Sequence, residues 1–173
     1  MLAVVTVAGL ALAADANSRV NASLNGMTRM LTTLSTKSGT ELTLEDFNRL
    51  KASVDEFVDT LTSAARQTQF LQPVAFLNAN LRLQLETLSI AREVATAGQD
   101  MLNGVQPTLF FLLGSDESTV PAGQISAGER MVELLRLGRG RFISATNHLI
   151  TARVGLDQLD LTNASVDLLL NIQ

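Results

Sequence analysis

Cysteine, tryptophan and tyrosine are all missing from this chain, and aromatic residues amount to 4% of its 173 positions. Without cysteine there are no disulfides, thiolate zinc sites or cysteine nucleophiles. That absence suits a reducing cytosol and equally a bacterial envelope protein built without covalent staples. So few aromatics is low for a compact ligand-binding domain and usual for a helical bundle whose core is Leu, Val and Ala. Positive charge is short as well: 13 Lys and Arg stand against 17 Asp and Glu, a net charge of -4. No global field therefore draws nucleic acid, and DNA and RNA are disfavoured as partners. A lone histidine, His148, leaves zinc and di-iron chemistry without its usual set of ligands. The 46% of hydrophobic residues is nonetheless ordinary for one folded domain.

What the chain does have is apolar or small residues at alternating steps of three and four. One stripe runs Phe47, Leu50, Val54, Phe57, Leu61, Ala64 and, after Thr68, Leu71. A second runs Ala91, Ala95, Gly98, Leu102, Val105, Leu109 and Leu112. The third runs Met131, Leu135, Gly138, Phe142, Ala145, Leu149, Ala152, Leu156 and Leu159. A repeat of this kind puts a narrow seam on each helix, as in left-handed coiled-coil packing. The expected fold is all-α: an elongated, antiparallel, up-down helical bundle of four long helices plus a short C-terminal one. Helices of this length reach roughly 45 Å.

Local signals place the ends. Thr43 with Asp46, and Ser126 with Glu129, have the spacing of capping boxes opening the second and fourth helices. Residues 35–40 read as a turn, and Pro73 breaks the pattern so that a third helix starts near Val74. Pro107 is expected to kink that helix, and residues 114–124 form the longest loop. The fourth helix runs to about Leu159, and Thr162 or Asn163 caps the short fifth. Six carboxylates between Glu41 and Asp59 face a fourth helix rich in arginine, which predicts that the second and fourth helices are neighbours.

The first fourteen residues, Met1 to Ala14, carry no charge. As a helix they rise about 21 Å, too short to span a bilayer core that needs roughly 20 residues. Residues 1–19 are read as a membrane anchor whose beginning lies upstream, leading into a helical bundle over 20–173. A signal peptide with Ala11-Leu12-Ala13 as its cleavage site, and a plain buried helix start, are the alternatives.

Candidate chemistry is sparse, and no catalytic, cofactor-binding or metal residue is nominated. His148 sits beside the seam and reads as an ordinary flanking residue, so His148→Ala should leave stability nearly intact. Leu149→Asp, by contrast, should melt much of the helicity by placing a charge in the seam. Asp55, Glu56 and Asp59 read as a solvated acidic face, since hard cations usually gather oxygens from a loop. Arg136, Arg139 and Arg141 are the one candidate contact, for an anion or a partner. The glycines between them lack the Gly-Lys-Ser/Thr ending of a phosphate loop, and Gly138 is expected to let a neighbouring helix approach closely.

The stretches Ala91-Arg-Glu-Val-Ala-Thr-Ala-Gly-Gln-Asp-Met-Leu102 and Arg141 to Asp160 resemble the N-terminal helical region of an uncharacterised bacterial membrane-anchored family. The resemblance implies a cell-envelope protein in which a membrane helix and a helical stalk precede a separate C-terminal domain of unknown function. It carries over no catalytic residue. The expected function is a non-catalytic, membrane-tethered, extracytoplasmic helical stalk or scaffold, acting through protein partners or self-association. The alternative is an extracytoplasmic sensor-type bundle that binds a small ligand. A buried polar cluster near Arg92, Glu93, Asp100 and His148 is the observation that would favour an enzyme instead.

Overall fold

The computed structural model describes residues 2–36, 43–75, 78–112 and 126–159. The expected loop at 114–124, the short fifth helix and most of the expected turn at 35–40 lie outside them. Four long helices make up nearly all the described chain: α1 (Leu2–Ser35), α2 (Leu44–Thr68), α4 (Ala79–Leu112) and α5 (Ala127–Gln158), with one turn of helix, α3 (Gln72–Ala75), between α2 and α4. No strand occurs among the described residues. No helix there is long and apolar enough to cross a membrane.

Both expected capping boxes form. At α2 the Thr43 hydroxyl accepts from the Asp46 N–H at 3.2 Å while the Asp46 carboxylate accepts from the Thr43 N–H at 3.1 Å. At α5 the Ser126 hydroxyl and Glu129 carboxylate make the same exchange, at 3.2 and 2.7 Å. Each satisfies backbone donors that the first helical turn would otherwise leave open. The two hydrogen bonds from Ser126 hold the Glu129 carboxyl below its ordinary range.

The third long helix starts later than its sequence suggests. After α2 the chain tightens into a 3-10 turn, Gln69–Leu71, and Pro73 sits in the first turn of α3, where a missing N–H costs little. Asn78 then caps α4, its side-chain oxygen accepting from the Leu81 N–H at 3.2 Å. Pro107 does not divide α4, which continues through it to Leu112.

Three helices share one core. Phe57 and Leu61 of α2 are buried with Ala95 of α4, and Val20, Met27, Leu88 and Ala91 pack around them from α1 and α4. Phe47 closes the end of the α2–α4 contact edge-on against Phe110, ring centroids 6.3 Å apart. Every member of the α2 stripe is buried except Leu50, which is half-buried. The fourth long helix, α5, lies outside this core and packs on α4. The expected pairing of α2 with α5 is therefore corrected: α2 packs against α1 and α4, and nothing comparable joins it to α5. The charges that do cross between helices go to α4: Asp55 of α2 meets Gln99 and Arg141 of α5 meets Asp100.

Asp55 shows this for α2. It takes hydrogen bonds from Lys51 at 2.8 Å and from Gln99 of α4 at 2.7 Å. Burial pushes its carboxyl up, but the hydrogen bonds from Lys51 and Gln99 and the Lys51 charge outweigh that and leave it below its ordinary value. A carboxyl depressed in the folded state adds stability above its unfolded pKa of about 3.9, and loses it as pH falls through the lower folded value. The stability difference between the native chain and Asp55→Asn should accordingly be constant from pH 7 to 5 and shrink below about pH 4. Urea titrations across that range check it; a difference that grows on acidification contradicts it.

Candidate functional site

The α4–α5 interface holds the main polar constellation. Glu93 and Asp100 stand seven residues apart on α4, and Arg141 and His148 seven apart on α5, so each pair lies on one face of its helix. The helices meet with numbers falling on one as they rise on the other. Arg130 lies over the Phe111 ring at 4.8 Å, Arg141 donates to Asp100 at 3.1 Å, and His148 Nδ1 meets Glu93 at 2.7 Å. Between the first two contacts the backbones come close, where a Cβ on Gly138 would lie 2.3 Å from the Gly104 carbonyl oxygen; beyond His148, one on Gly155 would lie 2.8 Å from the Ile90 side chain. Ala145 and Ala152 are buried along the same line. The expectation for Gly138 thus holds, with α4 as the helix it admits.

Asp100 is the most enclosed member, its side chain 9% exposed. Its second oxygen lies 4.0 Å from His148 Nε2, while Arg92 approaches Glu93 at 3.5 Å. His148 Nδ1 and a Glu93 carboxylate oxygen share the 2.7 Å hydrogen bond. Arg92, Glu93, Asp100 and His148, the residues whose clustering would favour an enzyme, do come together here, and Arg141 joins them.

What the cluster can do chemically follows from its surroundings. A histidine held by a carboxylate is half of a proton-transfer device, and the other half is a reacting group within hydrogen-bond reach. Among the described residues no hydroxyl bonds to His148, and no group of His, Asp and Glu has the arrangement to hold a metal ion. A groove of about 900 Å³ lies between α1 and α2. A smaller one of about 100 Å³ reaches Arg92 alone of these residues. The contacts cross between helices at matched heights and so set the register of α5 on α4. His148→Ala should cost about 1–2 kcal/mol, because it leaves the half-buried Glu93 without its interhelical hydrogen-bond partner. That is more than the near-neutral effect the sequence suggests. Thermal unfolding measures it, and an unchanged melting temperature would remove the clamp role.

The three candidate arginines do not converge. Arg136 pairs with Glu133 on its own helix at 2.9 Å, Arg141 is taken by Asp100, and Arg139 is exposed with no partner among the described residues. Arg153 shares that condition. On α2, Glu56 and Asp59 are exposed and likewise without side-chain partners among the described residues.

The supposed seam of α5 divides in two. Gly138, Ala145 and Ala152 are buried, but Leu135, Leu149 and Leu156 are 40% exposed or more. Leu149→Asp should then cost under about 1 kcal/mol and leave helicity unchanged, in place of the melting expected of a seam position. Circular dichroism and thermal unfolding check this, and a large loss would restore the seam. Comparison with protein families, with curated proteins and with solved structures finds no match for this chain.

Proposed function

We propose that this chain is a non-catalytic helical scaffold whose α5 presents a docking face to a protein partner. One observation carries the reading: α5 meets α4 through Gly138, Ala145, Ala152, Arg141, His148 and the Phe142 ring against Gly104, and turns several other large apolar residues outward. Val132, Ile143, Ile150 and Val154 are each about half exposed or more, Val132 at 67%. These four lie on the side of α5 opposite Ala145, since steps of 11, 7 and 4 residues return to one helical face. The stretch from Ile143 to Val154, about 17 Å of exposed apolar face beyond Arg139, is costly in water and is typical of an interaction surface.

The antiparallel, up-down arrangement belongs to the same reading, supported by the descending and ascending partners along α4 and α5. So does the tethered stalk in the cell envelope, for which the support is the uncharged run at the N-terminus and the family resemblance of the helical stretches. In the alternative, a sensor-type bundle, the α1–α2 groove would be the ligand site. Its lining of Ala, Ser and Gly with a few charges offers a small molecule little of the apolar enclosure such sites use.

A photoreactive residue at Asn147, exposed beside Ile143 and Ile150, tests the docking face in living cells. Discrete protein adducts are expected, and they should vanish in Ile143→Asp/Ile150→Asp while the melting temperature holds. Absence of any adduct overturns the proposal.

A further inference from the structure

The outward face of α5 carries a pattern that reads in complementary order when the helix is turned end for end. Arg136, Ile143, Ile150 and Asp157 follow one another at steps of seven and are all exposed, and each step returns to within about 20° of one face. The series is a cation, two isoleucines and an anion. Rotated about a point between Thr146 and Asn147, it sets Ile143 opposite Ile150 and Arg136 opposite Asp157, and symmetry makes each contact twice. Arg136 and Asp157 both lie about 16 Å from that point, so the charges meet at one height. Val154 falls level with Arg139 of the other copy, whose aliphatic stem can cover it. Asp157 has no partner among the described residues. It stands about one helical turn from Arg153 on its own helix and from Arg139 of the other copy, so the two unpaired arginines brought to that flank share a carboxylate. The face is open to such an approach, since α4 is the main neighbour of α5 and lies on its opposite side.

We infer that the partner of α5 is a second copy of this chain, its α5 laid antiparallel on the first about a two-fold axis beside Thr146 and Asn147. The inference rests on the docking reading above and names its partner. Ile143 and Ile150 form the apolar centre, and Arg136 with Asp157 closes each end. A parallel pairing in register is disfavoured, because it sets Arg136 on Arg136 and Asp157 on Asp157. The antiparallel contact is isologous, the same surface being used by both copies, so it ends at a dimer.

The chain has no cysteine, so thiols introduced into the purified full chain report the contact directly. Asn147→Cys should oxidise to a covalent dimer, because beside the axis its two copies come within disulfide reach. Ile143→Cys and Ile150→Cys should each stay unlinked when oxidised alone, their like thiols standing about 10 Å apart along the helices, and should link to each other when mixed. Sedimentation of the native chain from about 5 to about 200 µM should show a reversible equilibrium between monomer and dimer and nothing larger. Asp157→Arg should weaken it about tenfold, since the reversal acts at both ends. Ile143→Asp/Ile150→Asp should abolish it. All these positions are exposed, and unchanged helicity at the lowest concentration confirms that folding is not the cause. A native chain that stays monomeric throughout overturns the inference. So does Ile143→Cys linking to itself as readily as to Ile150→Cys, which indicates a parallel pair, and so does Asp157→Arg associating like the native protein. If the purified chain is monomeric while Asn147 still captures a different protein in cells, this inference fails and the docking reading stands. If neither association nor capture occurs, both fail.

Discussion

Leu61→Ala is expected to lower stability by about 2–5 kcal/mol, the range for truncating a large aliphatic side chain in a core. Leu61 has no exposed surface and packs where α1, α2 and α4 meet, in the cluster with Phe57 and Ala95. Removing its terminal carbons gives up their transfer free energy and leaves a cavity. Helices fixed by capping at α2 and by the Asp55–Gln99 bond can collapse only partly to fill it. For a chain of this size each kcal/mol shifts the melting temperature by roughly 2–4 °C, so calorimetry should show a fall on the order of 5–15 °C. A loss under about 1 kcal/mol would mean that α1 and α4 do not share a core across α2.

Gly138→Ala acts on the other interface and has a built-in control two residues away. A methyl at Gly138 would lie 2.3 Å from the Gly104 carbonyl oxygen and 3.0 Å from its carbon. Those are backbone atoms of a continuous helix and cannot swing aside, so α4 and α5 must separate. Separation would also stretch the Arg141–Asp100 and His148–Glu93 contacts on the same face. Alanine's better helix propensity returns about 1 kcal/mol, yet overpacking of this kind costs about 1–3 kcal/mol and more where backbone is struck. A net loss of about 2 kcal/mol is expected. At Gly140 an added Cβ meets nothing within 4 Å, and Gly140→Ala should gain about 0.5–1 kcal/mol. Opposite signs in urea titrations confirm the close approach, and equal signs would show that α5 does not lie on α4 in this way.

The two interfaces differ in how they are written into the sequence. On α2 the core is a single strip of large apolar residues, and periodicity finds it from Phe47 to Leu71 with only Leu50 short of full burial. On α4 the stripe through Ala91 and Ala95 is the side turned to α2. Its second buried side, through Glu93, Ala97, Asp100 and Gly104, is made of small and charged residues that carry no hydrophobic signal. The trace it leaves is a pair of matching spacings, Glu93 to Asp100 and Arg141 to His148, seven residues each with complementary charge. That pattern makes His148 an interhelical partner where its sequence neighbours suggest a bystander. For α5, every third or fourth apolar residue reads as seam, yet with α4 as its main neighbour among the described residues it buries only half of that stripe.

Local chemistry alone determined that the chain is helical and where α2 and α5 begin, because a capping box is complete within four residues and a 3.5-residue repeat needs no partner to be recognised. The choice of neighbours belonged to the tertiary structure: α4 at the centre, α5 on its far side, and Asp55, Asp100 and Glu93 given to α4–α2 and α4–α5 contacts. Any amphipathic strip is satisfied by many partners, and what selects one is shape at the point of contact, here two glycines whose missing side chains let α4 and α5 close far enough for their charges to meet.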